Sequence, residues 1–356
     1  IHAERIADGS GIYTEPSVDF IPYLYTPLYP AIIALFSPLF GISYTVARTV
    51  SLLAVLGVMV LMAMVITRND SQREKADIRI AAWVGVCIAC GFFAATYPWV
   101  DGWYDLVRGD SLFLFMIIGG LYALSQWAPP PAADKHFQSR QQKFLYTHGR
   151  VAVAASILAL SFYCKQTGFL YVAAGGFLLL FLNWRMIPTY VLVAGIIGLG
   201  GTYFLNERSG SWFWTYTFEV HQAHDCNQDR FIKSFTLMLG HFSTLSLILL
   251  GSVTAVLGVS LSNRKMPAFA KTLFIWTFIF AVSLVVGALG WATQWAHFNA
   301  YIPAMATGAL AVGIAVPALY SAFSEWHRLQ RPTLRRRIAE GSALFAALTL
   351  STELIF

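Results

Sequence analysis

The chain is 356 residues long, 57% hydrophobic and only 12% charged, with a formal net charge of +6 and a mean hydropathy of +0.60. A soluble chain carries about a quarter charged residues. The shortage here runs through the whole sequence, which excludes a soluble protein and a soluble domain on a single anchor. The positive balance reads as membrane topology, not as a nucleic-acid partner.

The sequence opens IHAERIADG, without an initiator Met, a basic n-region or an apolar h-region. No signal peptide is expected there, and the N-terminus reads as truncated. Residues 1–43 form an external segment, broken early by Pro16, Pro22, Pro27 and Pro30. The apolar run from Pro30 to Pro38 and Gly41 is too short to span a membrane. It suits either an interfacial helix, with Tyr23, Tyr25 and Tyr29 at headgroup depth, or a re-entrant packing segment.

Residues 44–356 read as an all-α, polytopic transmembrane helix bundle. Ten spans are expected, at about 44–67, 80–97, 110–127, 150–163, 168–183, 187–205, 236–260, 268–290, 301–323 and 339–356, judged against the ~20 residues a helix needs to cross a ~30 Å core. With the N-terminal segment external, 17 of the 24 Lys and Arg residues fall in internal loops, RPTLRRR among them. Such a bias is what positive-inside topology requires. The external loops are then 97–110, 206–235 and 290–301. No Walker A loop or other phosphate cradle for a nucleotide is present.

Five clusters could carry chemistry. In WVDGWYDLVRGDSLF, Asp101, Asp105 and Arg108 fall at i, i+4 and i+7 and share a face if the segment is helical. Asp110 opens the next span, where it either caps the helix or faces a cavity. The letters RGD sit at a membrane lip, which is no place for an adhesion loop. CIAC holds Cys87 and Cys90 inside a span with no second pair, so structural thiols are expected. In CKQTG, Lys165 is the only charge between Arg150 and Arg185, and it either snorkels to headgroups or binds an anion, with Gln166 and Thr167 beside it. In FEVHQAHDCNQDRF, His221 and His224 with Asp225 have a spacing open to a divalent metal, although surface histidines often show it too. Trp212, Trp214, Tyr216 and Phe218 just before it suit either the interface or stacking on a sugar. In GWATQWAHFNAY, Gln294, His297 and Asn299 could bond a ligand's hydroxyls or phosphate, or satisfy a helix end.

In order along the chain, AERIADGSGIY…YTPLYPAIIALFSPLFG…ARTVSLLA, VRGDSLFLFM, CKQTGFLYVAAGG and HFNAYIPAMATGAL resemble the integral-membrane C-type glycosyltransferases. The likeness is to bacterial relatives of the protein O-mannosyltransferase and lipid A aminoarabinose transferase group. The resemblance implies transfer of a sugar from a polyprenyl-phosphate donor to a lipid, glycan or protein acceptor, by inverting displacement on the external leaflet of a bacterial plasma membrane. It implies donor-phosphate contacts from Arg108 and Lys165, with Gln166 beside them, and phosphate or sugar contacts from His297 and Asn299. It gives Asp110 and Asp101 the task of orienting the acceptor or a metal, and allows a divalent cation such as Mg or Mn. In that family the key acid follows the first transmembrane helix, ahead of the part matching AERIADG. The resemblance therefore places the main base before Ile1 and makes eleven spans in the full chain. The competing expectations are a transporter or flippase of lipid-linked glycans, against which no internal repeat is visible, and a non-catalytic scaffold.

Overall fold

The computed structural model describes residues 1–68, 76–130, 137, 139–241, 243–263 and 266–327. The last expected span, 339–356, and the basic run RPTLRRR lie outside the described residues. Within those residues the chain is helical, and its only extended pairing is a bridge between Cys226 and Thr293. The N-terminal segment carries α1 (His2–Ala7) and α2 (Leu28–Phe40). After it come α3 (Tyr44–Thr67), α4 (Ala76–Ala95), α5 (Asp110–Trp127), α6 (Arg140–Phe162), α7 (Gly168–Asn183), α8 (Ile187–Gly195) and α9 (Gly201–Arg208). The remaining long helices are α10 (Gln228–His241), α11 (Ser243–Asn263), α12 (Ala270–Ala292) and α13 (Ile302–His327).

Seven helical stretches among the described residues are long and apolar enough to cross a membrane, or eight with the bent pair Gln228–Gly240 and Leu245–Leu261. One of the seven, Gly168–Arg208, is not a single rod. The backbone leaves helical geometry at Asn183 (φ −171°, ψ 89°), and Pro188 starts α8. Tyr190 Oη then donates to the Val172 carbonyl at 2.7 Å, although 18 residues of straight helix would hold them about 27 Å apart. The stretch is therefore a hairpin of two segments, matching the expected spans at 168–183 and 187–205.

The helices gather into two compact units. Among the described residues, the first holds Ile1–Val58, Gly102–Cys226 and Thr293–Trp295; the second holds those of Met59–Asp101, Asn227–Ala292 and 296–327. In the first, α6 packs on α5, α7 and α8, and α2 buries Tyr29, Ile33 and Ala34 against Ala47. Its other face leaves Leu35, Leu39 and Phe40 exposed, the amphipathic division that suits an interfacial helix. Tyr29 is buried, and its hydroxyl bonds the Ala47 carbonyl and Ser51.

In the second unit α13 is nearly all buried, which suits its apolar residues on every side. Its most extensive neighbour is α4. The two cross backbone to backbone at Gly85 and Gly313, the close approach that small residues allow between membrane helices. A Cβ on Gly313 would lie 2.5 Å from the Gly85 carbonyl oxygen and 2.7 Å from Ala89 Cβ. Gly313→Val should therefore lower the thermal midpoint of the detergent-purified protein, with the ~1–3 kcal/mol typical of overpacking. Gly91→Val, whose Cβ meets nothing within 4 Å, is the control. Equal midpoints for the two variants would contradict the crossing.

Candidate functional site

The first unit assembles its charges where α5 starts and α6 turns into α7. Asp110 is the first residue of α5, with Gly109 as N-cap. A carboxylate there is favoured by the helix dipole. It is only 5% exposed, so it needs partners, since a buried unpaired charge is among the costliest things a fold can hold. Lys165 Nζ lies 2.6 Å from Asp110 Oδ1 and Arg108 Nε lies 3.7 Å from Oδ2. Their side chains stay 22% and 37% exposed, respectively. The carboxylate thus anchors two cations that keep part of their surface outward.

Close packing brings Lys165 to Asp110. The α6–α7 turn is tight: Lys165 N–H donates to Ser161 O at 3.1 Å, and Gly168 N–H to Lys165 O at 2.9 Å. A Cβ on Gly168 would strike Phe162 backbone, and one on Gly109 would lie 2.8 Å from the Cys164 carbonyl oxygen. Gly109 is therefore the contact point between the α5 start and this turn, and the RGD letters are packed rather than displayed. Burial pushes the Cys164 thiol well above its ordinary range, so it is inert.

The segment 102–109 is not helical, and the expected shared face of Asp101, Asp105 and Arg108 does not form. Pro98, Gly102 and Gly109 punctuate it. Asp101 takes a left-handed φ of 52° and belongs to the second unit. Asp105 pairs with Arg48. Ser51 donates to Leu106 O at 2.7 Å and Ser111 donates to Tyr104 O, so the loop is held through its carbonyls.

Aromatic side chains complete the site. The Arg108 guanidinium lies over Trp103 at 4.7 Å and Tyr25 at 5.1 Å. Each such stacking contributes about 0.5–2 kcal/mol. Burial raises the Tyr23 phenol's pKa, with the Asp110 charge adding to the rise and Arg108 opposing it. The Leu24 carbonyl accepts from Gln166 Nε2 at 3.3 Å and sits 2.8 Å from His221 Nε2. A carbonyl only accepts, so His221 carries its proton on Nε2. Neither Trp103 nor the Leu24 carbonyl was picked out from the sequence. The repeated YLY at 23–25 was the available signal.

The other expected residues fall elsewhere. His221 and His224 meet edge to face at 5.5 Å, and among the described residues no group of three or more His, Cys, Asp or Glu is positioned to hold a metal ion. Trp212 stacks on Tyr216 and Trp214 lies against Phe218. Tyr216 joins Tyr13, Phe162, Tyr163 and Phe213 in an aromatic core. In the second unit, His297 is exposed, at the N-cap of the short helix Phe298–Tyr301, and makes no side-chain cap bond. Asn299 lies half-buried within that helix. Nearby, Arg230 stacks on Trp291 at 4.4 Å and donates to Ala296 O at 3.1 Å.

Lys165→Met removes the nearest cation from the buried Asp110 and should destabilise the protein by about 2–4 kcal/mol, somewhat under the loss for a wholly buried pair. Adding Asp110→Leu should recover most of that loss in a double-mutant cycle of unfolding in detergent. Additive losses would show that the two groups do not depend on each other.

No protein-family model and no curated protein sequence matches the chain. Among solved structures, it is similar to ArnT from Cupriavidus metallidurans bound to undecaprenyl phosphate, with a TM-score of 0.59 and 12% identity over 98% of this chain and 64% of that one. The apo form of the same ArnT matches with a TM-score of 0.59 and 16% identity, over 92% of this chain and 55% of that one. The chain therefore spans less than two thirds of the ArnT chain. At these identities the likeness is one of fold, and the chain has the polytopic helical fold of ArnT, a C-type glycosyltransferase.

Proposed function

We propose that this chain is a membrane glycosyltransferase that draws a sugar from a polyprenyl-phosphate donor and passes it to a lipid, glycan or protein acceptor. The observation that carries this is a buried carboxylate, Asp110, holding two part-exposed cations at one helix start. It is supported by an ArnT fold whose crystal structure has undecaprenyl phosphate bound.

In this mechanism Arg108 and Lys165 face the donor phosphate. The acceptor hydroxyl oxygen bonds to the anomeric carbon from the side opposite the phosphate, and the carbon–oxygen bond to phosphate breaks. Configuration inverts and polyprenyl phosphate departs with the bonding electrons. The two cations match the charge that develops on the leaving oxygen, and being fixed beforehand they need no reorganisation. Asp110 positions them. Its negative charge is committed to Lys165, so the acceptor's proton goes to a different base. Lys165→Ala should reduce transfer from a purified polyprenyl-phosphate sugar on the order of 10²-fold, as loss of one preorganised charge-stabilising group does. Turnover like that of the unaltered protein would sink the assignment.

The active face is proposed to be external, on a bacterial plasma membrane, following the distribution of basic residues. Cys226 is exposed and Cys164 is buried. A membrane-impermeant maleimide added to intact cells should label Cys226 and spare Cys164. Labelling of Cys226 only after the membrane is opened would invert the topology.

A further inference from the structure

The stretch Tyr23–Thr26 lies against the Asp110–Lys165–Arg108 cluster without regular secondary structure, bracketed by Pro22 and Pro27. The two prolines stiffen it by fixing their own φ and restricting the residues before them. Its carbonyls are held from outside: Leu24 O by His221 and Gln166, and Tyr25 O by the Tyr13 hydroxyl at 2.6 Å. Its flanks are anchored through two amides, Tyr23 N–H to Ile12 O at 3.1 Å and Leu28 N–H to Tyr163 O at 2.7 Å. The Tyr25 ring is shared between Arg108 and His221, with its centroid 5.8 Å from the imidazole.

Two further side chains bear on this arrangement. Thr26 and Thr217 are buried, at 0% and 1% exposure, and neither hydroxyl has a hydrogen-bond partner among the described residues. Thr26 is two residues past Leu24 and Thr217 one helical turn before His221. Thr217 sits in the π-helical turn Thr215–Glu219, a helix distortion that recurs at functional sites. A buried hydroxyl without a partner destabilises the arrangement that buries it. The observed position of this stretch is therefore held by the Leu24 hydrogen bonds and opposed by the orphan hydroxyls.

We propose that Tyr23–Thr26 is a strap over the charged site, that His221 and Gln166 latch it through the Leu24 carbonyl, and that His221 is thereby a positioning residue controlling access to Lys165. The proposal rests on the transferase reading only for the identity of the ligand admitted. A ligand that needs the strap open binds with an affinity reduced by the closed fraction. Loosening the latch tightens binding, and relieving the orphan hydroxyl weakens it.

The test is hydrogen exchange on the full chain in detergent, read at peptides spanning 17–28 and at α5 and α6, with undecaprenyl phosphate binding measured separately. His221→Ala should speed strap exchange about five- to tenfold, the shift expected for one lost hydrogen bond, and leave α5 and α6 unchanged. His221→Gln, which restores a side-chain N–H donor, should return it to the starting rate. Thr26→Val should slow strap exchange, an opposite sign that general destabilisation cannot produce. Undecaprenyl phosphate should bind His221→Ala more tightly and Thr26→Val more weakly. Unchanged strap exchange in His221→Ala, equal acceleration in α5 and α6, or faster strap exchange in Thr26→Val overturns the strap. Opposed exchange effects with no undecaprenyl phosphate binding in any variant uphold the strap and instead overturn the lipid-phosphate donor.

Discussion

Burying one carboxylate dictates much of the first unit. Asp110 at 5% exposure is tolerable only with cations at hand, because an ionised group out of water without partners is destabilising by several kcal/mol. The dipole of α5 contributes a little, but the main compensation comes from Lys165, 55 residues further along. To deliver that ammonium, α6 must end and α7 begin within a few residues, and the turn must press against the α5 start. Gly109 and Gly168 are the two places where this approach leaves no room for a side chain. Charge placement and backbone contact are thus one constraint, which is why the electrostatics of the site cannot be varied separately from the packing.

How far the site could be read from sequence depends on which physical rule applied. Rarity of charge made Arg108, Asp110 and Lys165 visible, since an ionisable group beside an apolar run is costly unless it has a partner. Their mutual pairing was not visible, because the 55-residue separation says nothing about which helix ends meet. The helix-face expectation for Asp101, Asp105 and Arg108 failed for a local reason: periodicity was applied across Gly102 and Gly109, which interrupt the helix it assumes. Asp105 found Arg48 instead. At His221, spacing left metal ligation and a plain surface residue open; the ring bonds a backbone carbonyl, a partner no sequence pattern displays.

The helices themselves were more legible, because hydropathy reports on burial in lipid directly. The hairpin between α7 and α8 shows the limit of that measure. By length and hydropathy, Gly168–Arg208 passes as one stretch of 41 residues. The polar NWR and the Pro188 that follows mark the fold-back, which Tyr190 then closes against Val172. Helix starts were less well placed: α6 begins at Arg140 rather than near 150, since its first turns are polar and extend past the apolar span. Tyr29 shows a partner that sequence does not display: its phenol is buried where the Ala47 carbonyl receives its proton.

The position of the Asp110 cluster along its helices is compatible with surface chemistry. A carrier for lipid-linked glycans needs its polar contacts near the bilayer midplane, and such sites are typically built where helices are broken within the hydrocarbon. The groups of the Asp110 cluster lie at helix ends. Asp110 stands at the first residue of α5 and Lys165 in the turn between α6 and α7. The deviation from α-helix at Ile196–Gly200 contains only Ile, Leu and Gly, with no buried residue. A phosphate drawn to Arg108 and Lys165 would remain at the helix ends, with its polyprenyl chain free to follow the apolar surface. That geometry suits a lipid-borne donor presented at a membrane lip, where an acceptor arriving from water or from the same leaflet can reach the sugar without either partner crossing.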